Sequence, residues 1–547
     1  MTEMTGGQAL VQQLKMEGIK TIFGLPGIQL DWAFDAIYEE RDYFQVVHTR
    51  HEQACAYMAD GYARSTGQVG MALVVPGPGL LNASAALSTA YACSSPVLCV
   101  TGQINSDLIG VGRGVLHEIN NQLEAIGSVT KWAMRAMRPE DIPAMVHEAF
   151  HQLKTGRPRP VEIEVPPDIL QATGDAQLFE QERYERSAGN PDLLEKAAKA
   201  LGQARKPLIF AGGGILGGAA WEELERLAEL LEAPVIMTTD ARGALSDRHH
   251  LAQAGRAANV LGPEADVVLA VGTRFVAGAT AQWLSRDKTV IQLDIDPEEV
   301  GRNYKPDIGI VGDAKKGITE LAERVERHNI HRPSRKDELT ALKERIAAEA
   351  AAVHPQSDFA LAIRAEVPDD GIVFGESTQV GFWSHAYFPV YQPRTYFTSG
   401  YQGTLGYGFA TALGAQVANP DRKVVSINGD GGFFYNVQEL STMVQQKIPM
   451  VAIVFNDSAY GNVLRIQEMR FGGRTIASRL HNPDMLKLAE AYGLQGMRAK
   501  DPEELRVALR AALASGEPTL IEVPVGPMPQ MQTVMAQTQA AAPAARG

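Results

Sequence analysis

The chain holds 547 residues, 45% of them hydrophobic and 21% charged, the make-up of an ordinary globular protein of about three to four domains. Its 51 basic and 64 acidic side chains leave a net charge of −13, which argues against a nucleic-acid or anionic-membrane partner. No apolar run reaches the ~18 residues of a membrane-spanning helix, the N-terminus lacks the basic-then-apolar order of a secretory signal, and Cys55, Cys93 and Cys99 sit in apolar surroundings as reduced core residues, so a cytoplasmic enzyme is expected.

Strand-like apolar runs alternate with helix-length segments along the whole chain, the pattern of parallel α/β sheets. The first block, 1–186, carries predicted strands at 21–23, 46–48, 71–75, 97–101 and 161–165, and a charged, irregular linker follows at 180–190. The second block, 187–345, carries strands at 207–211, 234–237, 267–271 and 290–293, with a polar helical connector near 338–353. The third block spans 355–547, and its tail after Pro529, rich in Gln, Ala and Pro, is expected to be mobile or to act as a lid. The fold class predicted is α/β, with three doubly wound parallel-sheet domains.

The most informative motif lies in the third block. Val424 to Ile427 reads as a buried strand running into Gly429, Asp430, Gly431 and Gly432; a helix-like segment follows, then a second apolar strand at 450–455 ending in Asn456 and Asp457. The spacer 432–455 is 24 residues, about right for one βαβ crossover. Asp430 and Asp457 therefore emerge at the carboxyl ends of parallel strands, where open α/β sheets bind ligands. Glycines let backbone approach phosphate oxygens, helix N-termini offer free N–H groups, and two carboxylates can hold Mg²⁺ beside a diphosphate. Taken singly, either motif also reads as a ligand-free turn; the spacing and flanking strands favour the metal–diphosphate site.

This arrangement resembles the signature of thiamin-diphosphate-dependent enzymes, Gly-Asp-Gly followed at about this spacing by Asn-Asn, and the resemblance to the acetolactate synthase large (catalytic) subunit covers about residues 4 to 526. It implies pyrimidine-binding, central nucleotide-binding-like and diphosphate-binding domains. Asp430 and Asp457 would then be side-chain metal ligands and Ala459 a backbone one, with Gly429, Gly431 and Gly432 against the diphosphate. Asp457 departs from the family's Asn and adds a negative charge. Arg50-His51-Glu52-Gln53 looks like the family's glutamate segment, which makes Glu52 the proton relay to the cofactor's pyrimidine ring; a dipole-favoured glutamate at a helix start is the competing explanation. The stretch 400–408 resembles the cofactor-bending loop, with Leu405 as apolar wedge and the Gly403 carbonyl as acceptor for the 4′-amino group. Pro76, Gly77 and Asn82 match the loop beside the active site, and Gln379 falls where a family glutamine approaches the diphosphate.

Other positions depart from acetolactate synthase. In the central block, Gly212-Gly213-Gly214, Asp294 and Asp296 suit a nucleotide-binding fold, although the aspartates also read as strand-end caps. Gly272-Thr273-Arg274-Phe275 matches the family's FAD pattern, whereas 276–278 and 254–256 do not, so FAD, ADP or a vestigial site stays open. His117 stands where a substrate-facing Gln is expected and could move protons near neutral pH. Ile466 replaces a Trp that shapes the acceptor pocket, and Ile28 and Gln29 replace small residues. The expected activity is a thiamin-diphosphate- and Mg²⁺-dependent C–C lyase or carboligase acting on small 2-oxo acids or 2-hydroxy ketones, acetolactate synthase-like. Benzaldehyde-lyase-like, cyclic-diketone hydrolase and hydroxyacyl-CoA lyase activities compete with it, as does an inactive regulatory subunit. A homodimer or homotetramer with active sites shared between chains is implied, because one cofactor must reach both Glu52 and Asp430.

Overall fold

The computed structural model describes residues 2–276, 287–531 and 533–535. Three six-stranded parallel sheets organise the chain. Their strands are apolar on both faces: Gly70–Val74, Val97–Gly102, Pro207–Ala211, Val267–Val271 and Ile372–Gly375 are buried at every position. Continuous burial of this kind is what a parallel sheet covered on both sides imposes.

Within the first sheet, strands taken in chain order as first to sixth lie in the order second, first, third, fourth, sixth, fifth; they begin with Thr21–Gly24 and Gln45–His48. The third sheet has the same order, beginning with Ile372–Gly375 and Tyr396–Phe397. The central sheet differs: third, second, first, fourth, fifth, sixth, the dinucleotide-fold order. The strands Thr2–Thr5 and Thr173–Ala176 add a separate antiparallel pair.

Sequence-local signals explain the helix ends. Thr5 and Gln8 close a capping box at the first helix, Gly6–Met16, and Asn190 and Asp501 cap the helices Pro191–Gln203 and Pro502–Ser515. The predicted linker is irregular through 177–190, and the predicted connector is a helix, Lys336–Ala351, whose Leu339, Leu342 and Ile346 pack into the central core. Past Pro529, Met535 is buried against the third sheet's outer core, so the tail does bring apolar side chains to bury; the expectation for its remainder, 536–547, lies outside the described residues.

The first and third sheets share one core. Ala72, Val74, Val97 and Cys99 of the first meet Ile372, Phe374, Ala452 and Val454 of the third in a single cluster, while the alternate residues Met71, Leu73 and Leu98 face the other side. Two helices fill the space between, Glu52–Thr66 and Tyr407–Ala418. Each leads out of the second strand of its own sheet, so they are topological equivalents. Their backbones touch: a Cβ on Gly61 would lie 1.9 Å from the Thr411 carbonyl oxygen, and one on Gly414 would lie 2.0 Å from that of Met58. Only glycine permits this approach. Arg64 then ties all three units, donating to the Thr398 carbonyl at 2.7 Å and the Tyr407 hydroxyl at 2.9 Å and approaching Asp240 within 3.9 Å.

Candidate active site

Open parallel sheets bind ligands where the strand order reverses. In the third sheet that point lies between Ile372–Gly375 and Val424–Gly429. A cavity of about 380 Å³ opens there, lined by Ser377, Thr378 and Gln379 from the first strand's end and by Gly429, Asp430, Gly431 and Gly432 from the second's. Gly403 and Leu405 line it as well, together with Asp457 and Ala459 beyond the strand Val451–Asn456. Nine predicted residues of the third block thus meet in one cavity. The glycines are fixed by close approach: a Cβ on Gly431 would meet the Tyr460 ring at 2.7 Å, and one on Gly432 the Glu376 carboxylate at 2.4 Å.

Asp430 is buried and opens the short helix Asp430–Phe433. Asn482 donates to its Oδ2 at 2.6 Å and, from the same amide, to Asn456 at 2.9 Å. Burial pushes the Asp430 carboxyl up, and Asn482 pulls it back. Asp457 is raised to about 6, first by burial and then by the charge of Asp430. Its Oδ1 accepts the Ala459 N–H at 3.2 Å. Two neighbouring carboxylates, both raised by burial and one raised further by the other's charge, are an arrangement a divalent cation relieves, since oxygen donors and a shared diphosphate suit Mg²⁺. The residues present fit that ion.

The first sheet's own switch point, between Thr21–Gly24 and Gly70–Val74, holds the other predicted residues. Glu52 is buried at the N-terminus of its helix; Asn82 donates to its Oε2 at 3.0 Å, and a Cβ on Gly79 would lie 3.4 Å from its Oε1. Gly77 has φ +57° and faces the backbone carbonyl of His117, which a Cβ would meet at 2.3 Å. His117 itself has φ +68°, with its Nδ1 buried and without a hydrogen-bond partner. Buried Gln29 reaches the Leu116 carbonyl at 3.3 Å, so Gln29, Pro76, Gly77 and His117 belong to one rim. No residue of this rim, nor Glu52 or Asn82, lines the Asp430 cavity.

Three partners escaped sequence reading, Gln122 and Glu376 buried and Asn482 half-buried. Gln122 accepts the Gly77 N–H at 2.9 Å and donates to Glu164 at 2.7 Å and to the Gly102 carbonyl at 3.1 Å, so it fastens the Pro76–Gly77 loop to the sheet. Glu376 accepts the Gly406 N–H at 2.7 Å; burial pushes it to about 7 against the pull of the Gly406, Gly429 and Gly408 amides. It joins the Leu405 loop to the Asp430 strand. Asn482, described above, is the third. Each is a lone polar residue remote in sequence from what it holds, with no local pattern to mark it.

A larger cavity, about 740 Å³, lies at the central sheet's switch point. It is lined by Gly212–Gly214 and by Gly272–Arg274 (the ends of the first and fourth strands), with Asp294, Asp313, Arg157 and Arg394 around it. Gly214 and Gly272 pack backbone to backbone, a Cβ on Gly272 lying 2.7 Å from the Gly214 Cα. Asp294 both lines this cavity and accepts the Asp296 N–H at 3.0 Å, and burial raises it to about 6. The sequence mismatch noted at 276–278 falls, but for Val276, outside the described residues.

Comparison with known proteins agrees with this layout. Three family profiles match: "Thiamine pyrophosphate enzyme, N-terminal TPP binding domain" over residues 4–125, the "central domain" over 194–321, and the "C-terminal TPP binding domain" over 376–523. The chain is 36% identical to a probable acetolactate synthase large subunit of Methanocaldococcus jannaschii, covering 96% of this chain and 92% of that one. It is 34% identical to an acetolactate synthase of Arthrospira platensis, covering 95% and 94%. It is 31% identical to the acetolactate synthase isozyme 3 large subunit of Escherichia coli K12, covering 94% and 93%.

Proposed function

Because the chain belongs to the thiamine pyrophosphate enzyme family, as a relative of acetolactate synthase large subunits over nearly its whole length, we propose that it makes or breaks a carbon–carbon bond next to the carbonyl of a 2-oxo acid or 2-hydroxy ketone. The observation that carries this reading is the carboxylate pair Asp430 and Asp457 at the switch point of the third sheet, in a cavity walled by glycines.

When bound, thiamin diphosphate supplies a nucleophilic carbon and an electron sink for the carbonyl carbon. The chain's own residues hold and prime it. Asp430, Asp457 and the Ala459 carbonyl would hold Mg²⁺; the Gly429–Gly432 backbone and Gln379 would receive the diphosphate. Leu405 supplies apolar bulk beside them, and the Gly403 carbonyl would accept a hydrogen bond from the cofactor's amino group. Glu52 exchanges a proton with the pyrimidine ring, oriented by Asn82 and partly desolvated by its burial. His117, with a ring nitrogen unpaired behind Gly77, faces substrate.

Glu52 and Asp430 belong to different sheets, and the Asp430 cavity receives nothing from the first. Around the first rim Ile28, Trp32, Leu81, Val111 and Leu116 are exposed; along the helix Gly461–Arg470 and after it Val463, Met469, Phe471 and Ile476 are exposed. Large apolar side chains bordering both half-sites support a homodimer, or a dimer of dimers, in which each site joins Glu52 of one copy to Asp430 of the other. The glycine-walled central cavity supports FAD, ADP or a vestigial nucleotide site, and the absorbance spectrum of the purified protein separates flavin from the other two. Cys55, Cys93 and Cys99 are free thiols, which suits a reducing, cytoplasmic setting.

The decisive test incubates protein, Mg²⁺ and thiamin diphosphate with pyruvate and with a panel of acyloins, identifying products by mass spectrometry. Release of CO₂ or cleavage of an acyloin is expected; inertness toward the whole panel sinks the reading. A mixture of Glu52→Gln and Asp430→Ala chains tests sharing. Recovery of activity on subunit exchange is expected, and exchange without recovery rules the shared site out.

A further inference from the structure

The helix Gly461–Arg470 starts four residues after Asp457 and has no buried residue. Halfway along it Arg465 turns back toward the cavity. One guanidinium nitrogen donates to Gln379 Oε1 at 2.7 Å and another to Asn462 Oδ1 at 2.7 Å. Gln379 and Asn462 both line the Asp430 cavity, so this cation stands beside its wall, bonded to two residues of the lining and not itself one of them. Both of its partners are neutral amides, and burial alone acts on the group, lowering its proton affinity with no acid to offset it. Other half-buried arginines place their donors on carboxylates, as Arg135 does on Glu164 and Arg157 on Glu299, or on backbone carbonyls, as Arg332, Arg394 and Arg422 do; Arg465 has two side-chain amides instead.

A chain with 64 acidic side chains could readily have provided a counter-ion. A guanidinium has five N–H donors in a rigid fork, and the two amides use two of them. The remainder suit a planar or tetrahedral oxyanion bound through two parallel hydrogen bonds. The carboxylates at the cavity floor repel an anion, so a positive charge beside the wall is what would let a negatively charged molecule enter.

We propose that Arg465 is an oxyanion subsite beside the wall of the Asp430 cavity, taking the carboxylate, or a group of like charge and size, of the substrate. This rests on the reading of that cavity as the reaction site. The alternative source of the same chemistry is the cofactor's diphosphate, and the two are separable by titration.

Calorimetry on the Mg²⁺- and thiamin-diphosphate-loaded protein with pyruvate, inorganic phosphate and sulfate as probes gives the test. Wild type is expected to bind at least one of the three. Arg465→Gln should weaken the tightest of them about 10- to 100-fold, the loss of one charge-assisted hydrogen-bond pair, and Arg465→Lys should lose less, keeping charge without the fork. Thiamin-diphosphate affinity and melting temperature should stay as in wild type. Unchanged anion affinity in Arg465→Gln, binding of none of the probes by wild type, or a parallel drop in thiamin-diphosphate affinity each overturns the proposal, the last by assigning Arg465 to the diphosphate. Failure of wild type to hold thiamin diphosphate would instead undo the reading of the cavity, and the anion titration on the unloaded protein would still decide whether Arg465 binds an oxyanion.

Discussion

The first and third sheets have one strand order and opposite chemistry. In both, candidate residues gather at the switch point between the first and third strands, and in both the second strand leads into the helix that packs against its equivalent across the shared core. After the third strand, one sheet places the Pro76–Gly77 turn, held by Gln122, and the other places Asp430, held by Asn482. After the second strand, one places Glu52 on the helix itself and the other places the apolar Leu405 loop, held by Glu376. The first sheet thus carries a single carboxylate next to an amide, a group fit to pass a proton. The third carries a carboxylate pair next to glycines, fit to hold a metal and a polyanion. A repeated scaffold supplies positions; the side chain at each strand end sets what the position does.

The strongest way to break this division of labour is Asp430→Ala. Cofactor retention should fall more than about 100-fold, because the proposed Mg²⁺ would lose one of its two side-chain ligands. Calorimetric titration of thiamin diphosphate in Mg²⁺ reads it, and equal affinity in mutant and wild type would remove the metal assignment. Glu52→Gln should do the reverse: affinity nearly kept, but hydrogen–deuterium exchange at the cofactor's C2 slowed by about 10²–10⁴-fold, followed by NMR after acid quench. A normal exchange rate would mean that the first sheet does not prime the ring.

Gly61→Val attacks the seam rather than either site. Its Cβ would fall 1.9 Å from the Thr411 carbonyl, so backbone must move, and a loss of about 3 kcal/mol or more in denaturant unfolding is expected. The first and third sheets should lose stability together because their core is shared.

The smallest effect is the most specific. Asp457 has its proton affinity raised to about 6 in the fold, above the ~4 of a free aspartate. Its contribution to stability is therefore present below pH ~4 and is lost as pH rises through about 6. Asp457→Asn should stabilise the metal-free protein at pH 7.5 by about 1 kcal/mol, after discounting for partial exposure, with the gain fading between pH 6 and 4. Mg²⁺ affinity of wild type should drop about tenfold per pH unit below 6, and Asp457→Asn should flatten that slope. Identical pH profiles would show that the two aspartates do not share an ion.

The sequence by itself determined the class of fold and the chemistry at one end of one sheet. Buried parallel strands are mostly apolar, so they announce themselves as runs, as at Val267–Val271; a glycine-flanked aspartate after such a run is legible because both signals are local. Trp132–Arg135, partly exposed, and the two-residue strands Ala252–Gln253 and Tyr396–Phe397 leave no such run, whereas Ile372–Gly375 and Thr519–Pro524 are buried, mostly apolar runs that the sequence reading does not name. Tertiary structure alone decided which remote side chains hold the site: Gln122 lies 45 positions from Gly77, Asn482 lies 52 from Asp430, and Arg465 lies 86 from Gln379. It also decided that Gly61 and Gly414 are contact glycines rather than turn glycines, since each sits mid-helix with nothing local to mark it. Hydrogen bonds and close backbone approach depend on distance in space, and a single sequence records distance only along the chain.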